Sequence, residues 1–156
     1  MRVAINQSNY LPWKGYFDLI HDADLFIFLD DVQYTKRDWR SRNKIKTKNG
    51  PLWLTIPVGS NTSRLINQVP LPSGEWRTQH WQSIRHSYTS SPYFQHYAPL
   101  FFKAFSCPLQ ANLSSFNQQL IKTIAREILG ITKTQFMDSA SLNVKEKKQD
   151  RILSIL

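Results

Sequence analysis

Two adjacent carboxylates, Asp30 and Asp31, end an apolar run and are the first pair of side chains suited to chemistry. Paired carboxylates can hold Mg²⁺, bind a hydroxyl group, or share a proton as acid and base. Aspartate also ends strands and forms turns, which is the structural alternative. Because successive strand residues point to opposite faces, we expect at most one of the two carboxylates to reach a ligand directly.

A basic segment, Lys36–Lys48, follows the aspartates and contains seven Lys or Arg residues but only one acid. Arginine binds phosphate or carboxylate through paired hydrogen bonds, and lysine supplies a mobile positive charge. Trp39 adds a flat ring for a base or a sugar. A solvated basic loop is the structural alternative. The residues predicted to bind a phosphorylated substrate are Lys36, Arg37, Trp39, Arg42, Asn43, Lys44 and Lys46.

The loop Asn6–Tyr16 is the third candidate. Its side-chain amides, Gln7 and Asn9, can recognise hydroxyl or amide groups, and Pro12 restricts the backbone. An ordinary connection that caps a helix is the structural alternative. The loop residues predicted to act are Gln7, in catalysis with Asp30 and Asp31, and Asn9 and Tyr16, in substrate binding.

A strand–helix–strand pattern positions these residues. Arg2–Ile5 and Leu25–Leu29 are predicted strands, and a short helix is predicted around Gly15–His21. Such a crossover makes the two strands parallel, so both end at the same edge of the sheet. Ligands of open parallel sheets bind outside those carboxyl ends. We therefore expect the loop after the first strand and the aspartate pair to face each other across a crevice.

The remaining pattern predicts one α/β domain over residues 1–156, a Rossmann-like three-layer fold with a mostly parallel sheet. The last helix ends on apolar residues without a cap, which predicts a chain truncated at its C-terminus. The predicted strands or extended segments are Leu52–Val58, Ile66–Leu71 and Ile131–Met137. The predicted helices are Glu75–Tyr88, a helix capped by Ser91 and Pro92, Leu113–Ile128 before Gly130, and Lys145–Leu156.

The composition predicts a cytoplasmic protein without membrane insertion. No segment approaches the roughly 20 apolar residues of a membrane helix, and the N-terminus lacks the apolar run of a signal peptide. The net charge of +9 attracts polyanions, which include nucleic acid, nucleotide phosphates and anionic lipid head groups.

The single cysteine, Cys107, excludes an internal disulfide and a multi-thiolate zinc site. His80 and His86 are poorly spaced for one metal and are predicted to be structural or surface residues. The motifs of dinucleotide binding, P-loop phosphoryl transfer and lipase-type hydrolysis are missing.

Several segments have a specific order and spacing: Gln7–Phe17, Ala23-Asp24, Leu29–Gln33, Trp39–Thr47 and Trp53–Val58. In these segments the chain resembles the opening of the WbqC-like protein family, with looser similarity at Trp76-Arg77, His80-Trp81 and Pro92–Phe94. Ser8 stands where the family usually has proline, and family members usually continue beyond Leu156. The resemblance implies a bacterial cytoplasmic enzyme of O-antigen, lipopolysaccharide or other surface polysaccharide biosynthesis that modifies a nucleotide-linked sugar by aminoacyl or acyl transfer. Mg²⁺ and a nucleotide are its candidate cofactors.

A fainter similarity concerns nucleotidylyltransferases, which also surround a nucleotide with a strand, a loop and a helix. It adds nucleotidyl transfer to the reactions to be considered. Their paired His-x-Gly-His signature is replaced here by Pro12–Tyr16, so adenylyl transfer by the usual route is not expected.

Three functions are therefore open. The lead hypothesis is a transferase that acts on a nucleotide-sugar or another phosphorylated small molecule. The basic segment, with exposed Trp and Tyr, also suits an RNA-binding module, for which we expect strongly salt-sensitive affinity. A non-catalytic subunit of a glycan-assembly complex is the third, and an intact glycan in Asp30→Asn and Asp31→Asn variants would favour it.

Overall fold

The N-terminal segment forms a strand, a helix and a second strand, as predicted. These elements are β1 (Val3–Asn6), α1 (Lys14–Asp22) and β2 (Leu25–Phe28). They belong to a computed structural model that describes residues 1–106, 110–144, 146 and 148–155. β1 and β2 are parallel and pair residue for residue over their whole length. The crossover through α1 therefore brings the ends of both strands to one edge of the sheet.

The elements after β2 confirm the α/β class. They are β3 (Arg42–Thr47), β4 (Gly50–Thr55), α2 (Trp76–Tyr88), α3 (Phe94–Ser106), α4 (Leu113–Thr123), β5 (Gln135–Asp138) and α5 (Lys148–Ile155). Short 3₁₀ turns lie at Ile66–Gln68 and Ser139–Leu142, and a π-helical turn lies at Ile124–Ile128. None of the helices in the described part of the chain combines the length and the apolar character needed to cross a bilayer.

The main sheet has three parallel strands in the order β1-β2-β5. β2 lies in the middle, and its residues Phe26, Ile27 and Phe28 are buried because both faces of the sheet are covered. The strand that was predicted at Ile131–Met137 begins later, at Gln135. The sheet thus brings the ends of β1, β2 and β5 together, while the Rossmann-like three-layer arrangement stays a prediction.

A separate antiparallel hairpin of β3 and β4 contains the second half of the basic segment. Its turn places Gly50 at φ +103°, in the left-handed region that favours glycine. Ile45 and Leu54 are buried on one side of the hairpin. The opposite side, called here the outer face, carries Arg42, Lys44, Lys46 and Trp53. The strand predicted at Leu52–Val58 is confirmed with shifted bounds, whereas β3 was not expected.

α4 contributes to two apolar cores. Phe116 and Leu120 pack in a core with the hairpin and α2, whereas Ile121 packs in a second core with α1 and the main sheet. The helix begins at an N-cap, Asn112, whose side-chain oxygen accepts a hydrogen bond from the Ser115 backbone at 2.8 Å. The amphipathic pattern that predicted this helix is confirmed.

Two other predictions need correction. The segment Ile66–Leu71 was expected to be extended, but Ile66–Gln68 forms a 3₁₀ turn. The helix expected to begin at Ser91 begins at Phe94, because Ser91 instead closes a turn in which its carbonyl accepts from the Phe94 N–H. Cys107 and both ends of the predicted helix Lys145–Leu156 lie outside the described residues.

Candidate functional site

Asp30 joins the loop after β1 to helix α4. The carboxylate is fully buried and accepts a hydrogen bond from the Ser8 backbone N–H at 2.8 Å. Its other oxygen accepts from the Ser114 hydroxyl and from the Gln118 amide. The first loop and the aspartate pair thus meet at Asp30, as expected, but through a direct hydrogen bond inside the protein and not across a crevice. Since both oxygens have protein donors, the carboxylate stabilises this junction.

Asp31 joins the end of β2 to the C-terminal part of the chain. Its side chain accepts hydrogen bonds from the Ser139 hydroxyl, at 2.6 Å, and from the guanidinium of Arg151. The ion pair is largely shielded from water, with 15% of the Asp31 side chain and 14% of the Arg151 side chain exposed. Asp31 therefore ties α5 to the sheet edge.

The two aspartates do not form a site suited to a resident Mg²⁺ ion. Magnesium needs carboxylate oxygens that are free to coordinate it with near-octahedral geometry. Each carboxylate oxygen of Asp30 and Asp31 already has a protein donor. Within the described residues, no group of three or more His, Cys, Asp or Glu side chains is placed to hold a metal.

Gln7 and Tyr16 lie beside this junction. The Tyr16 hydroxyl donates to the Gln7 carbonyl at 2.9 Å, and the ring is 98% buried. Burial and the nearby Asp30 carboxylate raise the pKa of Tyr16 far above its ordinary value. Tyr16 is thus placed to support the loop rather than to touch a ligand. Gln7 is partly buried, and its side-chain amide forms no hydrogen bond with the described residues.

A cleft of about 310 Å³ is lined by three residues of the same loop and two residues of the basic segment. This volume is at the lower end of the range for small-molecule sites. Trp13 is 73% exposed and Trp39 is 49% exposed, so both indoles are available to a ligand. We call it the indole cleft, and it is lined by Asn9, Pro12, Trp13, Trp39 and Asn43.

The Trp13 indole lies directly on the backbone of Gly15. A Cβ atom at position 15 would come within 2.2 Å of the Trp13 ring, so only glycine permits this position of the indole. An exposed tryptophan therefore packs on the backbone of α1 in the absence of a ligand.

The side-chain amides of Asn43 and Asn9 in the indole cleft differ in their hydrogen bonding. Asn43 donates to the backbone carbonyls of Tyr10, at 3.2 Å, and Leu11, at 2.6 Å, and accepts from the Lys44 N–H. It thereby fixes the loop that carries Trp13. The side-chain oxygen of Asn9 is buried and has no partner among the described residues. An unpaired buried acceptor is costly, so a turn of the Asn9 side chain that brought this oxygen to a ligand donor in the cleft would be favourable.

The second indole belongs to a stack of aromatic rings and cations. Trp39 packs on Trp53, with ring centroids 6.0 Å apart. Arg42 and Lys44 lie over the Trp53 ring at 4.4 Å and 4.7 Å. Cation–π contacts of this kind hold positive charge beside an aromatic surface. The hairpin therefore supplies both a ring and cations next to the indole cleft.

The other predicted cations are more loosely placed. Lys36 and Arg37 are exposed in the turn before Trp39, and Arg37 has φ +56°. Lys46 is exposed on the outer face, where its backbone N–H donates to the Tyr88 hydroxyl at 3.1 Å. The structure does not place these three residues in the lining of the indole cleft.

A buried hydrogen bond between Tyr10 and His80 supports the loop after β1. The Tyr10 hydroxyl hydrogen-bonds to Nδ1 of His80 at 2.8 Å, and both residues are buried. Burial lowers the pKa of His80 to about 4, although a hydrogen bond with the Thr55 backbone opposes the shift. His80 is thus a neutral structural histidine, one of the two roles predicted from its poor spacing to His86 for a shared metal.

Sequence reasoning missed several residues of the site. Trp53 lies in a predicted strand but was not assigned to ligand binding, and Trp13 was not assigned to ligand binding either. The contact between Asp31 and Arg151 spans 120 residues and has no local signal. Lys48-Asn49-Gly50 is a turn signal that would have revealed the hairpin.

A comparison with protein families matches residues 7–156 to the model of the WbqC-like protein family. The chain belongs to the WbqC-like protein family. The match extends from the indole-cleft loop to α5 and so includes all the residues of the junction and the cleft. The resemblance noted in the first 60 residues therefore continues along the whole chain.

One relative of this WbqC-like protein is the uncharacterized protein Rv1507c of Mycobacterium tuberculosis. The two are 37% identical over 156 residues, which cover 99% of this chain and 67% of the relative. No solved structure matches the chain. The comparisons thus establish the family, and the function has to be argued from the site.

Proposed function

We propose that this WbqC-like protein binds a nucleotide-linked or phosphorylated sugar in the indole cleft, as part of a cytoplasmic transferase of bacterial surface polysaccharide biosynthesis. The cleft itself carries the proposal. It combines two exposed indoles, an unpaired buried amide oxygen and neighbouring cations. Such a set suits a ligand that has a flat ring or sugar, hydroxyl donors and phosphate.

The parts of the ligand can be assigned by chemistry. Trp13 and Trp39 offer surfaces for a base or for the apolar face of a sugar ring. The Asn9 oxygen would accept a hydroxyl proton. Arg42 and Lys44 would neutralise phosphate, with Lys36, Arg37 and Lys46 adding longer-range attraction.

The catalytic assignment of Gln7, Asp30 and Asp31 stays a prediction. Gln7 is the freest of the three, since its side-chain amide is not used by the described residues. The aspartates would have to release protein donors before taking part in a reaction. In this proposal they hold the loop in position, while aminoacyl, acyl or nucleotidyl groups remain the candidates for transfer.

Calorimetric titration with UDP-glucose and UDP-N-acetylglucosamine, with and without Mg²⁺, tests the binding step. Trp13→Ala and Asn9→Ala should each weaken binding about tenfold, the loss expected for one stacked ring or one buried hydrogen bond to a ligand. Phe102→Ala is a matched control, because Phe102 is an exposed aromatic residue outside the cleft. If neither nucleotide-sugar binds, or if Phe102→Ala weakens binding equally, the proposal is wrong.

An RNA-binding function is the second candidate, and the outer face of the hairpin favours it. That face carries Arg42, Lys44 and Lys46 along β3, with the Trp53 ring opposite Lys44 on β4. Single-stranded nucleic acids bind to such combinations of positive charge and aromatic surface. A surface-glycan analysis by mass spectrometry, with and without the gene, separates the two: only the sugar-modifying function predicts an altered glycan.

A further inference from the structure

A groove of about 380 Å³ follows helix α4 and the π-helical turn that continues it. Its volume is within the range of small-molecule sites, and it shares no lining residue with the indole cleft. The groove therefore has room for a ligand of its own. We call it the α4 groove, and its lining includes Gln118, Gln119, Lys122, Thr123, Arg126 and Glu127.

Two cations of this lining meet at one aromatic ring. The Lys122 ammonium lies 5.9 Å from the ring centre of Phe136, and the Arg126 guanidinium lies 5.5 Å from the same centre. Neither cation forms an ion pair with a carboxylate of the described residues. Like charges four residues apart on a helix repel each other, so an anion that binds both cations would be stabilised.

The surroundings of Lys122 add to this effect. Its side chain is half-buried, and burial lowers the pKa of its ammonium. The Asp138 carboxylate opposes this shift, whereas the Arg126 guanidinium lowers the pKa further. A partly desolvated ammonium beside a second cation gains more from an anionic ligand than a fully solvated lysine does.

Neutral hydrogen-bond donors also line the groove. The Thr123 hydroxyl and the amide nitrogen of Gln119 have no hydrogen-bond partner among the described residues, whereas the Gln119 oxygen accepts from Gln110. A phosphate group carries up to two negative charges near neutral pH and has three strong acceptor oxygens. Two cations and two free donors therefore match a phosphate.

The position of the groove gives an independent indication. Gln118 lines it and donates to Asp138, at the end of β5, at 2.9 Å. The groove thus reaches the edge of the sheet at which the parallel strands end, where ligands of open parallel sheets bind. Arg126 belongs to the π-helical turn Ile124–Ile128, and such turns are frequent at functional sites.

We propose that the α4 groove is a second binding site, which takes the phosphate group of a small phosphate ester between Lys122 and Arg126. Thr123 and the Gln119 amide donate to its remaining oxygens. Glu127 borders the groove, so a long polyanion such as RNA would meet a like charge there. This site does not require that a sugar nucleotide bind the indole cleft.

Calorimetric titration of the full chain with glucose 1-phosphate, inorganic phosphate and uncharged glucose tests the proposal. We expect saturable binding of glucose 1-phosphate and none of glucose, because the phosphate makes the ionic contacts. Weaker binding of inorganic phosphate would show that the sugar adds contacts, and equal binding would show that the phosphate alone is recognised; both support the site. No binding of either phosphate, or equal binding of glucose, would overturn the proposal.

Three variants locate the site. Arg126→Gln should weaken glucose 1-phosphate binding about fivefold, and Lys122→Gln, which removes the half-buried cation, at least about tenfold. Glu127→Gln removes the acid of the groove and should strengthen binding about threefold, a direction that a damaged fold does not produce. Arg85→Gln is the matched control for Arg126→Gln, because Arg85 is an exposed arginine of α2 outside the lining.

Two outcomes would contradict the assignment. Equal losses in Arg126→Gln and Arg85→Gln would reduce the binding to unspecific attraction by the net charge. A loss in Trp13→Ala without a loss in Arg126→Gln would place the phosphate in the indole cleft. Trp13→Ala should leave glucose 1-phosphate binding unchanged whether or not the indole cleft binds UDP-glucose, so the failure of one proposal leaves the other measurable.

Discussion

Trp13 is exposed and yet packs on the backbone of α1, and the absence of a side chain at Gly15 makes this contact possible. Flexible exposed side chains lose conformational entropy when they bind a ligand. An indole that already rests on a glycine loses less. The contact between Trp13 and Gly15 of α1 therefore lowers the entropic cost of binding a ligand in the indole cleft.

Gly15→Ala should separate binding from folding. The new Cβ would meet the Trp13 ring, which can move outward into solvent. Alanine is better than glycine within a helix by up to about 1 kcal/mol, so the melting temperature should be unchanged or slightly higher. Affinity for UDP-glucose should fall about tenfold, matching Trp13→Ala. A large loss of stability, or full retention of affinity, would contradict this role of the contact between Trp13 and Gly15.

His80 gives stability a predictable pH dependence. Its pKa is lowered from 6.5 to about 4 in the folded chain, so the unfolded chain binds more protons between these values. Each unit of pKa difference corresponds to about 1.4 kcal/mol, so stability should be complete well above pH 6.5 and should fall by roughly 3 kcal/mol as the pH drops to 4. Urea denaturation at several pH values measures this, and His80→Gln should flatten that part of the curve. An unchanged slope in the variant would assign the titration to another group.

At the scale of elements, the aspartates connect the ends of the sheet strands to the helices. Asp30 holds the loop after β1 to α4, and Gln118 extends the network by donating to Asp138 at the end of β5 at 2.9 Å. Asp31 adds α5 through Arg151. Four parts of the chain that are distant in sequence thus depend on two adjacent residues.

Asp30→Asn should therefore destabilise the fold. The asparagine keeps one acceptor oxygen and places an NH₂ group against donors, which leaves a buried backbone N–H or hydroxyl unpaired. We expect a loss of about 2–4 kcal/mol in urea denaturation. Asp18→Asn, at an exposed position of α1, is the control. An unchanged stability together with a lost glycan modification would instead restore Asp30 to a direct catalytic role.

The elements differed in how well the sequence predicted them, for physical reasons. β1, α1 and β2 were predictable because their apolar patterns match their burial. β3 was missed because Ile45 is its only fully apolar side chain, and its charged residues face outward. The meeting of Asp30 with the first loop followed from the parallel crossover. The indole cleft did not, because Trp13 and Trp39 come together only through the folded loop and hairpin.

At the scale of the whole molecule, the positive charge determines which classes of ligand the protein attracts. The net charge is +9, and Arg42 and Lys44, which lie over the Trp53 ring beside the indole cleft, belong to β3 and its outer face. The same surface could therefore attract a sugar nucleotide with two phosphates or a longer RNA strand. Electrostatic attraction alone does not distinguish these ligands.

The salt dependence of binding distinguishes them. A single-stranded RNA that contacts about five phosphates should lose affinity with a logarithmic slope of about −3.5, because each contact releases condensed counterions. A sugar nucleotide has few such ions to release, so we expect a much shallower slope for UDP-glucose. Titrations between 50 and 300 mM KCl, roughly the range in which such slopes are resolved, measure both ligands on the same protein.

Matched variants show which surface of the protein supplies the positive charge that binds the ligand. Lys46→Gln removes a cation of the outer face, whereas Lys103→Gln removes an exposed cation on α3. If the chain acts on sugar nucleotides, Trp13→Ala should abolish most UDP-glucose binding, and Lys46→Gln should change it by less than about threefold, because a single exposed charge contributes little. The alternative result is a steep salt dependence of RNA binding that Lys46→Gln reduces and Lys103→Gln does not, together with no binding of UDP-glucose. That result would make the outer face of the hairpin, rather than the indole cleft, the functional surface.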